Sequence, residues 1–204
     1  MRAVICLGGN IADYSLIRPL IQADDKIICA DSGYLHAEAM GLSPDAVVGD
    51  FDSINIEEVS CDYVFVYPQK KDYTDGELAV EYAMTNGCDD IVLIGALGGR
   101  IDHELGNIAL LKKIMQAGKS GRIISGNETV WLVDRKLSIA GRKGDLLSII
   151  AVDGNPVITT SNLQYPLHKQ TLSYYCMGIS NVFEKDIAGI EVENGSVLAI
   201  HTGL

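Results

Sequence analysis

The chain has 204 residues and a formal net charge of −11. That balance argues against nucleic acid or an anionic membrane surface as partner, since both are polyanions, and an anionic substrate would need a metal cation to mediate its contact. Hydrophobic residues make up 48% of the chain, enough to bury a core in one large domain or two modest ones.

The first part of the chain alternates short apolar runs with amphipathic segments. "AVICLGG" (3–9), "KIICADSG" (26–33), "DAVVGD" (45–50), "YVFVYP" (63–68), "DIVLIGAL" (90–97) and "RIISG" (122–126) read as buried strands. They lack strict polar alternation, as parallel strands covered on both faces do. Between them, "YSLIRPLIQAD", "YLHAEAMG", "GELAVEYAMTNG" and "HELGNIALLKKIMQAG" read as helices, the last two stopping at Gly87 and Gly118. Strand–helix alternation predicts a doubly wound, mostly parallel sheet that binds ligands at the carboxyl ends of its strands. After about Gly126 the runs become short, β-branched and punctuated by turn residues, as in "VENGSV". This predicts a small all-β sandwich, so the expected domains are an α/β unit over 1–125 and a β unit over 126–204.

The five cysteines, Cys6, Cys29, Cys61, Cys88 and Cys176, include no C-x-x-C pair, and two sit inside apolar runs. They read as reduced packing residues. "MRAVICLGGN" is too short in its apolar run for a signal peptide, and no segment is long enough for a membrane span. The expected location is cytoplasmic.

Acidic residues recur where the strands end. Asp31 follows "KIICA", Asp50 and Asp52 follow "DAVV", Asp72 and Asp75 follow "YVFVYPQK", and Asp102 follows "DIVLIGALGGRI". Four strands thus deliver acids to one edge of the sheet. In "GDFDS", an extended chain would point Asp50 and Asp52 the same way, with Cα atoms roughly 7 Å apart, and Phe51 back into the protein. Two such carboxylates can share one hard cation. The alternative is an Asp-rich turn in which Asp52 or Ser53 caps a following helix.

In "KKDYTDGE", Thr74 and Glu77 fit a capping box, with Asp75 in the first helical turn. Lys71 beside a helix start suits a phosphate, while Asp72 and Asp75 add possible metal ligands. In "GALGGRIDHELGN", Gly98 and Gly99 allow close backbone approach to a ligand, Arg100 can grip phosphate in two places, and Asp102 or His103 opens a helix. His103 is a candidate base or a capping residue. No Walker loop is present, and "GGN" (8–10) is only a fragment of a dinucleotide fingerprint. Together these residues suit a Mg²⁺-bridged polyphosphate and phosphoryl-type transfer.

The ordered set "ADSG" (30–33), "GDFDS" (49–53), "KDYTD" (71–75) and "GGRIDH" (98–103), with "TTSNLQYPL" (159–167) and "GISNVF" (178–183), resembles the thiamine pyrophosphokinase family over essentially the whole chain. The resemblance implies transfer of the β,γ-diphosphoryl group of ATP to the hydroxyl of thiamine, with Mg²⁺ required. It implies an ATP/Mg-binding catalytic domain, a thiamine-binding β domain, and a homodimer with thiamine at the subunit interface. By motif, Asp50, Asp52 and Asp75 would bind Mg²⁺. Asp31, Asp72, Arg100 and Asp102 would lie around them, with Lys71, Gly98, Gly99 and His103 on the nucleotide side. Asp72, Asp75 and Asp102 are the candidate bases. Ser180, Asn181 and Phe183 would lie near thiamine, Phe183 offering its ring to the pyrimidine, and Tyr165 reads as a buried strand aromatic or a ligand contact. Two other readings stay open: a Mg²⁺-dependent phosphatase or phosphotransferase with Asp50 as nucleophile, and a non-catalytic thiamine or nucleotide sensor.

Overall fold

The structure, a computed structural model, describes residues 1–70, 72–173 and 178–204. The chain divides into two compact units, Met1–Gly126 and Asn127–Leu204.

Six parallel strands form the sheet of the first unit: β1 (Arg2–Cys6), β2 (Lys26–Ala30), β3 (Ala46–Gly49), β4 (Val64–Val66), β5 (Asp90–Ile94) and β6 (Ser120–Ser125). Their spatial order is β6-β5-β1-β2-β3-β4, parallel throughout. The connecting helices are α1 (Tyr14–Ile17), α2 (Gly33–Ala39), α3 (Asp75–Thr85) and α4 (Ile101–Gln116). The chain builds outward from β1 to β4 and then returns to place β5 on the other side of β1. That reversal makes the carboxyl ends of β1 and β5 the switch point where doubly wound sheets bind ligands. Burial follows the expectation for β1, β2, β3 and β5, whose apolar residues are nearly all inaccessible.

Two elements differ from the sequence expectation. The first helical stretch is a single turn of α-helix followed by a 3₁₀ turn over Arg18–Leu20, because Pro19 falls where the helix would continue. "YVFVYP" is the edge strand β4, with Tyr63 and Val66 exposed, since only one neighbour pairs with it.

The second unit has eight strands: β7 (Glu128–Val133), β8 (Lys136–Ala140), β9 (Leu146–Asp153), β10 (Val157–Ser161), β11 (Gln170–Thr171), β12 (Gly178–Val182), β13 (Ile187–Glu193) and β14 (Ser196–Thr202). Antiparallel pairing gives the orders β12-β9-β14-β7 and β11-β10-β13-β8. Burial alternates along β9 and β13, and the inward residues, among them Ile149, Ile158, Phe183 and Ile190, form one apolar cluster. The chain passes from β13 in one sheet to β14 in the other through a tight turn on Asn194 (φ 58) and Gly195 (φ 106), both left-handed. The expected fold class, an α/β domain with a parallel sheet followed by a β-sandwich, is the one observed.

Candidate active site

Asp31 leaves β2 with φ 44, held there by its N–H to Val48 O (2.9 Å) and by Tyr34 N–H to its own carbonyl (3.0 Å). Its side chain is carried into the protein, 9% exposed, and its Oδ1 is buried without a hydrogen-bond partner. At the end of β3 the chain turns rather than running on extended. Phe51 has φ 58, and Asp52 N–H returns to Asp50 Oδ1 at 3.3 Å. The extended reading of "GDFDS" is corrected here, although Phe51 does pack against the apolar core of the unit. Neither Asp52 nor Ser53 caps a helix: Ser53 Oγ donates to Asp52 Oδ1 (2.8 Å), and Asn55 caps the following 3₁₀ turn through Glu57 N–H (3.2 Å).

The turn brings Asp31, Asp50 and Asp52 together, each offering a carboxylate oxygen within 4.8 Å of the others. Three hard oxygen donors at this spacing, from residues of which Asp31 has a buried oxygen lacking a partner, fit a hard divalent cation. Without one, their charges repel in a partly buried position. This set differs from the one expected. Asp31 joins Asp50 and Asp52, and Asp75 lies outside the group of three.

Asp75 instead sits half-buried in the first turn of α3, behind the expected capping box, in which Glu77 N–H donates to Thr74 Oγ1 (3.1 Å) and Thr74 N–H to Glu77 Oε2 (3.1 Å). Gly76, next in line, is where α3 packs closely. A Cβ there would stand 3.2 Å from Leu7 Cδ2 and 3.4 Å from Leu110 Cδ1. Asp72 is exposed, and Lys71 lies outside the described residues.

The loops at the switch point interlock. Gly9 N–H donates to Gly95 O (2.7 Å) and Asn10 N–H to Gly98 O (3.3 Å). A Cβ on Gly9 would fall 2.5 Å from Gly95 O, so the "GGN" fragment is there to let two loop backbones meet. Gly98 and Gly99 both donate their N–H groups to Glu104 Oε1, at 2.8 and 2.9 Å. The open backbone expected for a ligand therefore already holds a carboxylate. Arg100 is the N-cap of α4, without a side-chain cap, and grips Asp102 by two bonds of 3.2 and 2.7 Å. That contact holds the Asp102 carboxyl below its ordinary pKa and the Arg100 guanidinium above its own. His103 is exposed, and α4 opens at Ile101 rather than at Asp102 or His103. Sequence reasoning missed Glu104 and Asn107, whose Nδ2 donates to Ala96 O (2.8 Å). Their only signal was an i, i+3 spacing on the helix that follows the loop.

In the second unit, Ser180 has φ 56 at an irregularity where β12 pairs with β9, and its N–H donates to Ser148 Oγ (3.0 Å). The Asn181 side chain clasps the peptide of Tyr165: Nδ2 donates to Tyr165 O (2.7 Å), and Oδ1 accepts from Tyr165 N–H (3.0 Å). Tyr165 is 64% exposed, so the buried-aromatic reading is corrected. Phe183 is corrected the other way. It is 1% exposed in the core cluster, its ring 5.2 Å from that of His201, and it presents no open face to a ligand.

Comparison with known proteins agrees with this architecture. Residues 17–123 match the family "Thiamin pyrophosphokinase, catalytic domain", and residues 133–198 match "Thiamin pyrophosphokinase, vitamin B1 binding domain". A thiamine pyrophosphokinase of Bacillus subtilis is 37% identical over 102 residues, 48% of this chain and 48% of that protein, so the match spans about half the length of that relative. Thiamine pyrophosphokinase 1 of Oryza sativa is 28% identical over 97% of this chain and 86% of its own. Among solved structures, thiamine pyrophosphokinase of Bacillus subtilis superposes with a TM-score of 0.85 at 25% identity over 100% of this chain and 99% of that one. A family protein of Enterococcus faecalis reaches 0.87 at 24% identity over 100% of both chains, which speaks to the fold. With both domain families matched in order along one chain, the protein belongs to the thiamin pyrophosphokinase family.

Proposed function

We propose that the chain is a thiamine diphosphokinase, transferring the β,γ-diphosphoryl group of ATP to the hydroxyl of thiamine and releasing AMP. The observation that carries this reading is the group of Asp31, Asp50 and Asp52 at the strand ends, oxygens within 4.8 Å, inside the span that matches the family's catalytic domain. These three carboxylates would hold Mg²⁺. Bound there, the ion would neutralise phosphate charge and polarise the phosphoryl oxygens.

The remaining work falls to the chain's own groups. Arg100 supplies a planar cationic fork at the start of α4, and Asp102 keeps it oriented at 2.7 Å. The thiamine hydroxyl must lose its proton to a base. Asp102 is engaged by Arg100 and held below the ordinary carboxylate range, which disfavours it as that base, and Asp72 and Asp75 are the other candidates to test. Matching of residues 133–198 to the vitamin B1 binding domain supports the second unit as the thiamine-binding part. A homodimer with thiamine at its interface belongs to this reading, as the family resemblance implies. The free thiols of Cys6, Cys29, Cys61 and Cys88 support a reducing, cytoplasmic setting. No helix among the described residues is long and apolar enough to cross a membrane.

An aspartyl-nucleophile phosphotransferase would leave the second unit unused, and a sensor would have no need of three clustered acids. The test mixes purified protein with ATP, Mg²⁺ and thiamine. Thiamine diphosphate and AMP in equal amounts, abolished by EDTA, support the reading; ADP with thiamine monophosphate overturns it.

A further inference from the structure

The β5–α4 loop, Gly95 to Arg100, contains three glycines and would be among the costliest segments of the first unit to order. Nonetheless its backbone is fastened from several sides. Gly95 O accepts from Gly9 N–H (2.7 Å), Gly98 O from Asn10 N–H (3.3 Å), and Ala96 O from Asn107 Nδ2 (2.8 Å). The N–H groups of Gly98 and Gly99 converge on a single acceptor, Glu104 Oε1, at 2.8 and 2.9 Å. Glu104 and Asn107 are three residues apart on α4, so one face of that helix holds the loop through a carbonyl and two N–H groups at once. Arg100 comes immediately after the fastened pair, in extended geometry (φ −69, ψ 135), so the position of its Cα follows from where Gly99 is held.

We propose that Glu104 is a positioning residue for nucleotide binding: its carboxylate fixes the Gly98–Gly99 pair and thereby places Arg100 for the polyphosphate. The inference rests on the ATP reading above. Glu104 acts on the loop and stays on it when nucleotide binds. The opposite arrangement, a carboxylate plug that phosphate must expel from the two N–H groups, makes the contrary prediction for the same variant.

The experiment compares wild type, Glu104→Ala and Glu104→Gln. Gln keeps an acceptor at the same reach and loses only the charge, whereas Ala leaves both N–H groups without their partner. For Glu104→Ala, KM for ATP rises about tenfold or more while kcat and KM for thiamine stay within about threefold, the pattern of lost ground-state placement. Glu104→Gln recovers most of that loss. Amide exchange at Gly98 and Gly99, measured without any ligand, speeds up in Glu104→Ala and is restored toward wild type in Glu104→Gln. It is read alongside a thermal melt, so a variant that merely unfolds is recognised. Tighter ATP binding by Glu104→Ala establishes the plug and overturns the proposal. Equal constants in all three proteins, or exchange at the two glycines unaffected by Ala, also overturn it. Product formation by the wild type tests the function itself, while ratios among variants and ligand-free exchange test Glu104, so the two fail separately.

Discussion

Gly49 and Asp31 are in backbone contact across neighbouring strands. A Cβ built on Gly49 would lie 3.1 Å from Asp31 Cβ and 3.2 Å from both its Cα and its N. Gly49 has no left-handed φ to explain it, so the glycine is there for space. Removing one side chain at the end of β3 lets the end of β2 come close enough for Asp31 to join Asp50 and Asp52.

Gly49→Ala therefore acts on the acid group before it acts on the fold. The neighbouring atoms belong largely to backbone and must shift by a few tenths of an ångström, displacing Asp31. We expect kcat/KM to fall by roughly tenfold or more, with a loss of stability of about 1–2 kcal/mol, as for other overpacked sites. Steady-state kinetics with a urea titration check both. Full activity in a well-folded Gly49→Ala protein would separate Asp31 from the site.

Asp31→Asn separates stability from function. Three close carboxylates repel in the metal-free protein, so neutralising the buried one should raise Tm by roughly 2–4 °C. On the proposed reading the same change also removes a Mg²⁺ ligand, so added Mg²⁺ should stabilise wild type but not the variant. Melting curves with and without Mg²⁺ decide this. Equal stabilisation of both proteins would place the ion elsewhere.

Asp52 is exposed, and its contacts include Ser53 Oγ at 2.8 Å. On the proposed reading Asp52→Asn removes a ligand of the Mg²⁺ that would hold the reacting phosphates, so it should cost about a hundredfold or more in kcat while the melting curve hardly moves. Retained turnover would remove Asp52 from the metal site.

The second unit carries a separate acid-sensitive group. Asp145 is buried, accepting at Oδ2 from Arg142 N–H and His201 Nε2 (2.8 Å each) and at Oδ1 from Leu204 N–H (3.2 Å). Burial alone pushes its pKa up. The Arg142 N–H, His201 and the Leu204 N–H outweigh that and hold it below its ordinary value of 3.8. A depressed carboxylate pKa stabilises the fold above the unfolded value, and that stabilisation is lost as pH falls through the folded pKa. Losing these charge-assisted bonds in Asp145→Asn should cost about 2 kcal/mol near neutral pH, the gap closing as pH falls below the ordinary carboxylate range. Denaturant unfolding across that range measures it, and a pH-independent gap would contradict it.

Features that depend on neighbours along the chain were legible in the sequence. The strand–helix alternation, the Thr74–Glu77 capping box and the Asn194–Gly195 turn all follow from residues within a few positions of one another. The gathering of acids at strand ends was legible as well, since parallel strands deliver their carboxyl ends to one edge. Features set by distant packing were not. Phe51 turns left-handed where alternation suggested an extended strand, and Asp31 gathers with Asp50 and Asp52 there. "SNVF" carries no local sign that Asn181 is committed to the Tyr165 peptide or that Phe183 belongs to the core. Glu104 looked like an ordinary helical acid because its partners lie in the loop before the helix.

In the proposed transfer the β and γ phosphates move together. ATP labelled at the β-phosphorus, incubated with the protein, Mg²⁺ and thiamine, follows that directly. Label recovered in thiamine diphosphate, with unlabelled AMP, is the predicted result; label retained in ADP would contradict it.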